Sequence, residues 1–129
     1  MIESCEIDIR VRYPEADRSG AVHHSRYWVY FEMGRTELLR AQGVDYRDLE
    51  DQGVLFVMAK CSAKYLAPAR YDDVLTLETR ITRTGRARID HAYELKRKSD
   101  GLLLTTAETT LACIDTGGKI IPIPPGVLG

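Results

Sequence analysis

After Gly53 the hydrophobic period of this chain changes to two and stays there. Residues 54–66 put Val57, Ala59, Cys61, Ala63 and Tyr65 on one face, against Met58, Lys60, Ser62 and Lys64. From Asp73, Leu75, Leu77 and Ile81 share a face opposite Thr76, Glu78 and Arg80. Residues 86–98 oppose Ile89, His91, Tyr93 and Leu95 to Arg88, Asp90, Glu94 and Lys96. That period belongs to a pleated strand with one buried face. The interruptions are turn chemistry. Ala67-Pro68 stops a ladder because proline has no N–H to donate, Gly85 turns the chain, and Ser99-Asp100-Gly101 is a hairpin signal. A last long strand is expected over about 102–115, then a turn at Thr116-Gly117-Gly118. A short strand at 119–121 and an irregular proline-rich tail, PIPPG, should follow.

Ahead of Gly53 the pattern differs. Residues 5–12, CEIDIRVR, alternate Ile7, Ile9 and Val11 with Glu6, Asp8, Arg10 and Arg12, which predicts a half-buried strand. Over 24–42, Tyr27, Tyr30, Phe31, Gly34, Leu38 and Ala41 recur at steps of three and four, and Gly43 supplies a stop. Such a helix is roughly 27 Å long. Gly34 weakens it by about 1 kcal/mol relative to Ala, so another backbone is expected to pack close there. A short polar helix over 45–52 leads to Gly53. One long amphipathic helix among long one-faced strands predicts an α+β fold, a curved antiparallel sheet wrapped around the helix, in a single domain over 1–129. One helix cannot cover so wide a sheet, so pairing with a second copy is expected.

Composition narrows the function. The 129 residues are 44% hydrophobic, and Lys+Arg 18 against Asp+Glu 19 leaves a net charge of -1, so no global field draws the chain to nucleic acid. No run approaches the ~18 apolar residues of a membrane span. The opening MIESCEID lacks the basic flank and apolar core of a signal peptide. Cys5, Cys61 and Cys113 lie far apart and form no C-x-x-C pair. They read as small buried residues of a protein in a reducing cytoplasm.

Residues 13–28, YPEADRSGAVHHSRYW, carry the chemistry. Adjacent His23 and His24 would point ~100° apart on a helix, and neither H-x-x-x-H nor H-E-x-x-H occurs, so no metal site is expected. A serine nucleophile lacks its G-x-S-x-G elbow, and no P-loop is present. A carboxylate fits better. Asp17 lies in an irregular segment just before the helix start, where first-turn N–H groups lack partners and the dipole adds about half a positive charge. Such donors can hold a carbonyl oxygen as it becomes an oxyanion, opposite a carboxylate that acts as nucleophile or general base. A thioester, already activated, suits that pair. The residue types alone also allow a plain turn, since a loop Asp usually bonds its own backbone. Glu15 is expected to be solvated, His91 to be a hydrogen-bonded core histidine, and Glu32 and Arg35 to form a helix ion pair.

RYPEADRSGAVHHSRYWVYFEMGRTELLR resembles the opening of the hotdog-fold acyl-CoA thioesterases of the 4-hydroxybenzoyl-CoA thioesterase type, including the bacterial Tol–Pal-associated relatives. Their pattern is aromatic-x-x-x-D-x-x-G-x-V-x-(Y/H)-x-N-Y, then a helix with F-E-x-x-R. Tyr13, Asp17, Gly20, Val22, His24, Tyr27, Phe31, Glu32 and Arg35 fall on it. A second block, YLAPARYDDVLTLET, is similar to the family's aromatic-x-x-P-A-x-x-x-D segment. The resemblance implies a hotdog fold that pairs its sheets edge to edge, as a homodimer or dimer of dimers, with the active site at the interface. It implies Asp17 as the catalytic carboxylate and the backbone N–H of His24 as the group that polarises the carbonyl. Tyr13, Gly20, Val22 and His23 would surround the substrate. Phe56, Val57, Met58 and Ala59 would line the acyl pocket from the other subunit, and Arg86 and Arg88 would meet CoA phosphates. No cofactor is implied beyond CoA as part of the substrate. Arg26 departs from the family's usual Asn, which bears on the substrate rather than on the hydrolysis.

The expected function is therefore a cytoplasmic acyl-CoA thioesterase, with an acyl-carrier-protein thioester as the other substrate form. A hotdog dehydratase would want a His in a proline-rich FHFP-type loop, which is absent, together with a helical Glu such as Glu32. A non-hydrolytic acyl-CoA binding module would keep the groove, but a carboxylate beside a thioester carbonyl adds little to binding.

Overall fold

Alternation builds the sheet and the three-to-four period builds the helix. The computed structural model describes residues 3–127. In chain order it contains β1 (Ser4–Arg10), a 3-10 turn (Tyr13–Glu15), α1 (His24–Ala41), α2 (Tyr46–Asp51), β2 (Leu55–Tyr65), β3 (Val74–Thr84), β4 (Arg88–Arg97) and β5 (Leu103–Ile114). The strands form one antiparallel sheet in the order β1-β3-β4-β5-β2, which makes β1 and β2 its edges. α1 packs on one face. Tyr27, Tyr30 and Phe31 are buried with Ile9, Leu75, Leu77, Tyr93, Leu95 and Leu104 in one core, and Leu38 is buried further along the helix. The α+β architecture expected from the sequence, a long helix on an antiparallel sheet, is the one observed. Among the described residues no helix is long and apolar enough to cross a membrane.

Local chemistry sets the helix ends. His23 is the N-cap of α1, and its Nδ1 accepts from the Ser25 N–H. Gly43 beyond the other end has φ +83°, a left-handed conformation that glycine adopts without strain. Asp45 caps α2 by accepting from the Arg47 N–H. Gly34 does mark a close approach, but to side chains rather than backbone. A Cβ there would lie 2.2 Å from Thr79 Oγ1 and 2.8 Å from Leu77 Cδ2.

Three expectations need correction. The short strand at 119–121 is a single bridge, Ile114 to Ile120. Pro122, next in line, cannot donate, so the ladder stops. The tail is irregular as expected, and Val127 beyond it joins Leu49, Val54 and Cys113 in a second, smaller core. Of the three free cysteines Cys113 is buried and Cys5 half-buried, but Cys61 on the edge strand is exposed. Finally, β2 does not keep one phase. Its pairing with β5 shifts between Met58 and Lys60, so Ala59 is a bulge residue and the faces exchange across it. Before the bulge Phe56 and Met58 line a cavity beside α1, with Val57 on the opposite face. After it Ala63 packs on the main core and the Tyr65 ring meets Tyr27 edge-on.

Candidate active site

Residues 15–23 fold into a small hairpin at the start of α1. The His23 N–H donates to the Glu15 carbonyl (3.0 Å), Ala16 bridges Val22, and the Asp17 N–H donates to the Ala21 carbonyl (2.8 Å). Gly20, at φ +87°, makes the turn, and its N–H bonds back to the Asp17 carbonyl. The hairpin is laced to the segment after β2, since the Val22 N–H reaches the Ala69 carbonyl (2.8 Å) and Ala21 bridges Arg70. Asp17 thus stands near the tip, exposed, two residues or roughly 7 Å of extended chain above the hairpin base.

The Asp17 carboxylate is partly engaged. Its Oδ1 accepts from the Ser19 N–H (2.8 Å) and from the Ser19 hydroxyl, the Ala21 N–H also favours the ionised carboxylate, and Oδ2 makes no hydrogen bond within 3.5 Å among the described residues. The Ser19 hydroxyl, then the Ser19 N–H, hold the carboxyl below the usual range, and nearby His23 adds to this. The group is therefore ionised at neutral pH. At the helix start the Ser25 N–H is spent on His23 Nδ1 and the Arg26 N–H on the His23 carbonyl. The N–H of His24 meets no acceptor among the described residues. The His23 and His24 rings lie against each other, centroids 4.2 Å apart, both exposed.

Glu15 overturns the expectation of a solvated acid. It is 4% exposed. The 3-10 turn swings its side chain under α1, where Oε1 accepts from the Arg12 N–H (2.7 Å) and the Tyr30 hydroxyl (3.0 Å). The Arg12 guanidinium lies 3.5 Å from Oε2. Burial first, and the Glu15 bond second, push the Tyr30 hydroxyl well up, so it remains a donor. Glu15 is a fastener between the hairpin and α1. No sequence signal marked it, because the acceptor's partner sits fifteen residues on.

The other expected site residues are not all brought to this hairpin, since Arg86 and Arg88 lie beyond the far end of β3. Tyr13 is 77% exposed, with its ring edge-on to Tyr71 at 5.5 Å. Val22 is buried in the main core and bears on the site through its backbone. Arg86 is exposed and its side chain has no partner among the described residues, whereas Arg88 is tied to Asp90 (3.0 and 3.2 Å). Among the described residues no group of three or more His, Cys, Asp or Glu is placed to hold a metal ion.

A cavity of about 380 Å³ lies between the second half of α1 and the sheet, walled by Phe56, Met58, Ile81, Ile89 and Leu111 and carrying Glu32, Arg35 and His91. Two expectations fail here. Glu32 and Arg35 form no ion pair; Arg35 instead donates to the Tyr93 hydroxyl (3.0 Å), which pairs with Thr109 at 2.6 Å. His91 is buried, but its Nδ1 has no hydrogen-bond partner among the described residues. Burial, and then Arg35, hold its pKa down to about 4.

Comparison with known proteins gives a consistent picture. The family described as the thioesterase-like superfamily matches residues 11–129. The acyl-CoA thioesterase YbgC of Haemophilus influenzae is 35% identical over 116 residues, 89% of this chain and 83% of that protein. The crystal structure of a hypothetical protein from Aquifex aeolicus superimposes with a TM-score of 0.90 at 31% identity, covering 96% of both chains. A DHNA-CoA thioesterase from Staphylococcus aureus gives a TM-score of 0.89 at 28% identity, over 92% of this chain and 80% of that one.

Proposed function

The chain belongs to the thioesterase-like superfamily and is a thioester hydrolase, and from that premise we propose that it cleaves acyl-CoA with Asp17 as the reacting carboxylate. The acyl-CoA substrate is drawn from the names of its relatives. One observation carries the assignment of the site: an ionised carboxylate with a free Oδ2 stands on the hairpin that feeds directly into an unspent first-turn N–H at His24.

The thioester carbonyl sits on the His24 N–H, where the helix end stabilises the charge that develops on oxygen. Asp17 Oδ2 then takes a proton from water as the water oxygen attacks, or attacks the carbonyl itself and is freed by water in a second step. In either route the C–S bond breaks, the thiol of CoA leaves with a proton, and the free acid remains. Ser19 holds Oδ1 by two hydrogen bonds, which leaves Oδ2 for the reaction. The enzyme needs no cofactor in this scheme and works in the cytoplasm. An acyl-carrier-protein thioester is the alternative substrate form. Tyr13, Gly20 and His23 surround the entrance, and Arg86 is better placed than the paired Arg88 to meet a CoA phosphate. The unpaired edge of β2 pairs with that of a second copy, bringing Phe56 and Met58 of one protomer toward the hairpin of the other.

The test is thiol release from a panel of acyl-CoAs by wild type and Asp17→Asn in parallel, with the assembly state of both checked. Loss of about 100-fold or more in kcat is expected, the size of a general-base contribution. Asp17→Asn within about tenfold of wild type would remove Asp17 from the reaction. Wild-type inactivity on every CoA ester, with turnover of carrier-protein thioesters, would change the substrate form instead.

A further inference from the structure

The cavity beside α1 is apolar over most of its wall, yet it holds two polar groups that the fold does not satisfy. Arg35 is half-buried and has no carboxylate within 4 Å among the described residues; its one bond goes to a neutral tyrosine hydroxyl. Beside it His91 is 6% exposed, with Nδ1 unpartnered. A guanidinium without a counter-ion and a buried imidazole nitrogen without a partner are each costly in a chain that must only fold. Glu32 on the same wall does not neutralise Arg35, and it is exposed, so its charge is screened by solvent. At about 380 Å³ the space lies within the range of small-molecule sites. Its apolar lining suits methylenes, and its polar end suits an anionic oxygen.

We propose that this cavity takes the distal end of the acyl group and that Arg35, with His91 beside it, selects acyl chains that end in a carboxylate. The substrate is then a CoA monothioester of a dicarboxylic acid. This rests on the acyl-CoA thioesterase reading above and adds the specificity of the same site. The cavity begins at Glu32, eight residues and about 12 Å along α1 from His24. It is reached by a long acyl chain on the same protomer, or by a shorter one held on a partner whose helix runs alongside in the opposite direction. Arg35 acts on binding and makes no contact with the reacting atoms, so its effect belongs in KM rather than kcat.

The experiment compares chain-matched pairs, adipoyl-CoA with heptanoyl-CoA and suberoyl-CoA with nonanoyl-CoA, on wild type, Arg35→Met and Arg35→Lys. Wild type is expected to favour the carboxylated ester of at least one pair by about tenfold or more in kcat/KM. The ratio should fall below about threefold in Arg35→Met and survive in part in Arg35→Lys. Calorimetric binding of the same esters to Asp17→Asn gives the preference without turnover. Equal or better handling of the alkyl ester in both pairs, by turnover or by binding, overturns the proposal even if Arg35→Met does not fold. Turnover retained in Asp17→Asn with the preference intact sinks the catalytic assignment alone. If wild type hydrolyses none of the four esters, the thioesterase reading fails for them and the binding ratio still decides this one.

Discussion

His91 sits on β4 with its ring nearly parallel to that of Tyr93, centroids 6.2 Å apart, and its pKa held to about 4 by burial and by Arg35. An unfolded chain takes up a proton on this residue near pH 6.5, which the folded chain refuses until about pH 4. The stability tied to a neutral His91 is therefore intact above 6.5 and is lost as the pH falls toward 4. The full loss is roughly 3 kcal/mol, and about 2 kcal/mol of it is gone by pH 5. Urea unfolding of wild type and His91→Gln from pH 7.5 to 5 should show wild type losing this increment relative to the variant. A stability difference that does not move with pH would show that the imidazole does not titrate as described. Glu15 teaches the same lesson at the same scale. Its type predicts solvent, and only the 3-10 turn that carries it under Tyr30 makes it an interior acceptor.

At the scale of elements, α1 packs closely on β3 at a glycine. Gly34 is where the helix comes down on Thr79 and Leu77. Gly34→Ala would gain about 1 kcal/mol in helix propensity. It must also displace the hydroxyl of Thr79, a fully buried residue of β3 that the new Cβ would collide with. Overpacking of this kind costs typically 1–3 kcal/mol. A net loss of stability is expected, read as a lower Tm, and a higher Tm would mean that β3 yields at no cost. The bulge at Ala59 works at this scale too. It turns β2 from a strand with a single apolar face into one that serves two purposes. Phe56 and Met58 wall the cavity before it, and Ala63 closes the core after it.

For the whole molecule, the edge strand β2 is where pairing with a second copy is expected. Val57 and Met58 are 40% and 43% exposed on a long strand with one side unpaired. An edge of that length and character invites pairing, and a closed two-fold pair is the common solution. Sedimentation should give a dimer, or a dimer of dimers, at micromolar concentration. Val57→Lys should shift it toward monomer and reduce thioester hydrolysis at least about tenfold with it. A monomeric wild type with full activity would place the complete site within one chain.

What the sequence determined by itself was whatever depends on neighbours along the chain. The bounds of α1, the strands β3 to β5 and the inward faces of β3 and β4 follow from period, proline and glycine, because backbone hydrogen bonding and side-chain direction are local. The helix end at His24, just after Asp17, was legible for the same reason, whereas the pairing that makes residues 15–23 a hairpin was not, because the sequence showed only an irregular segment there. Tertiary structure alone decided the burial of Glu15, the partner of Arg35, the orphaned Nδ1 of His91 and the exchange of faces at Ala59. Each of these depends on an atom brought from a distant element. Tyr93 is fifty-eight residues from Arg35, and the register of β2 is set on β5. Packing fixes such distances only when the whole sheet closes on the helix, and no local propensity encodes them.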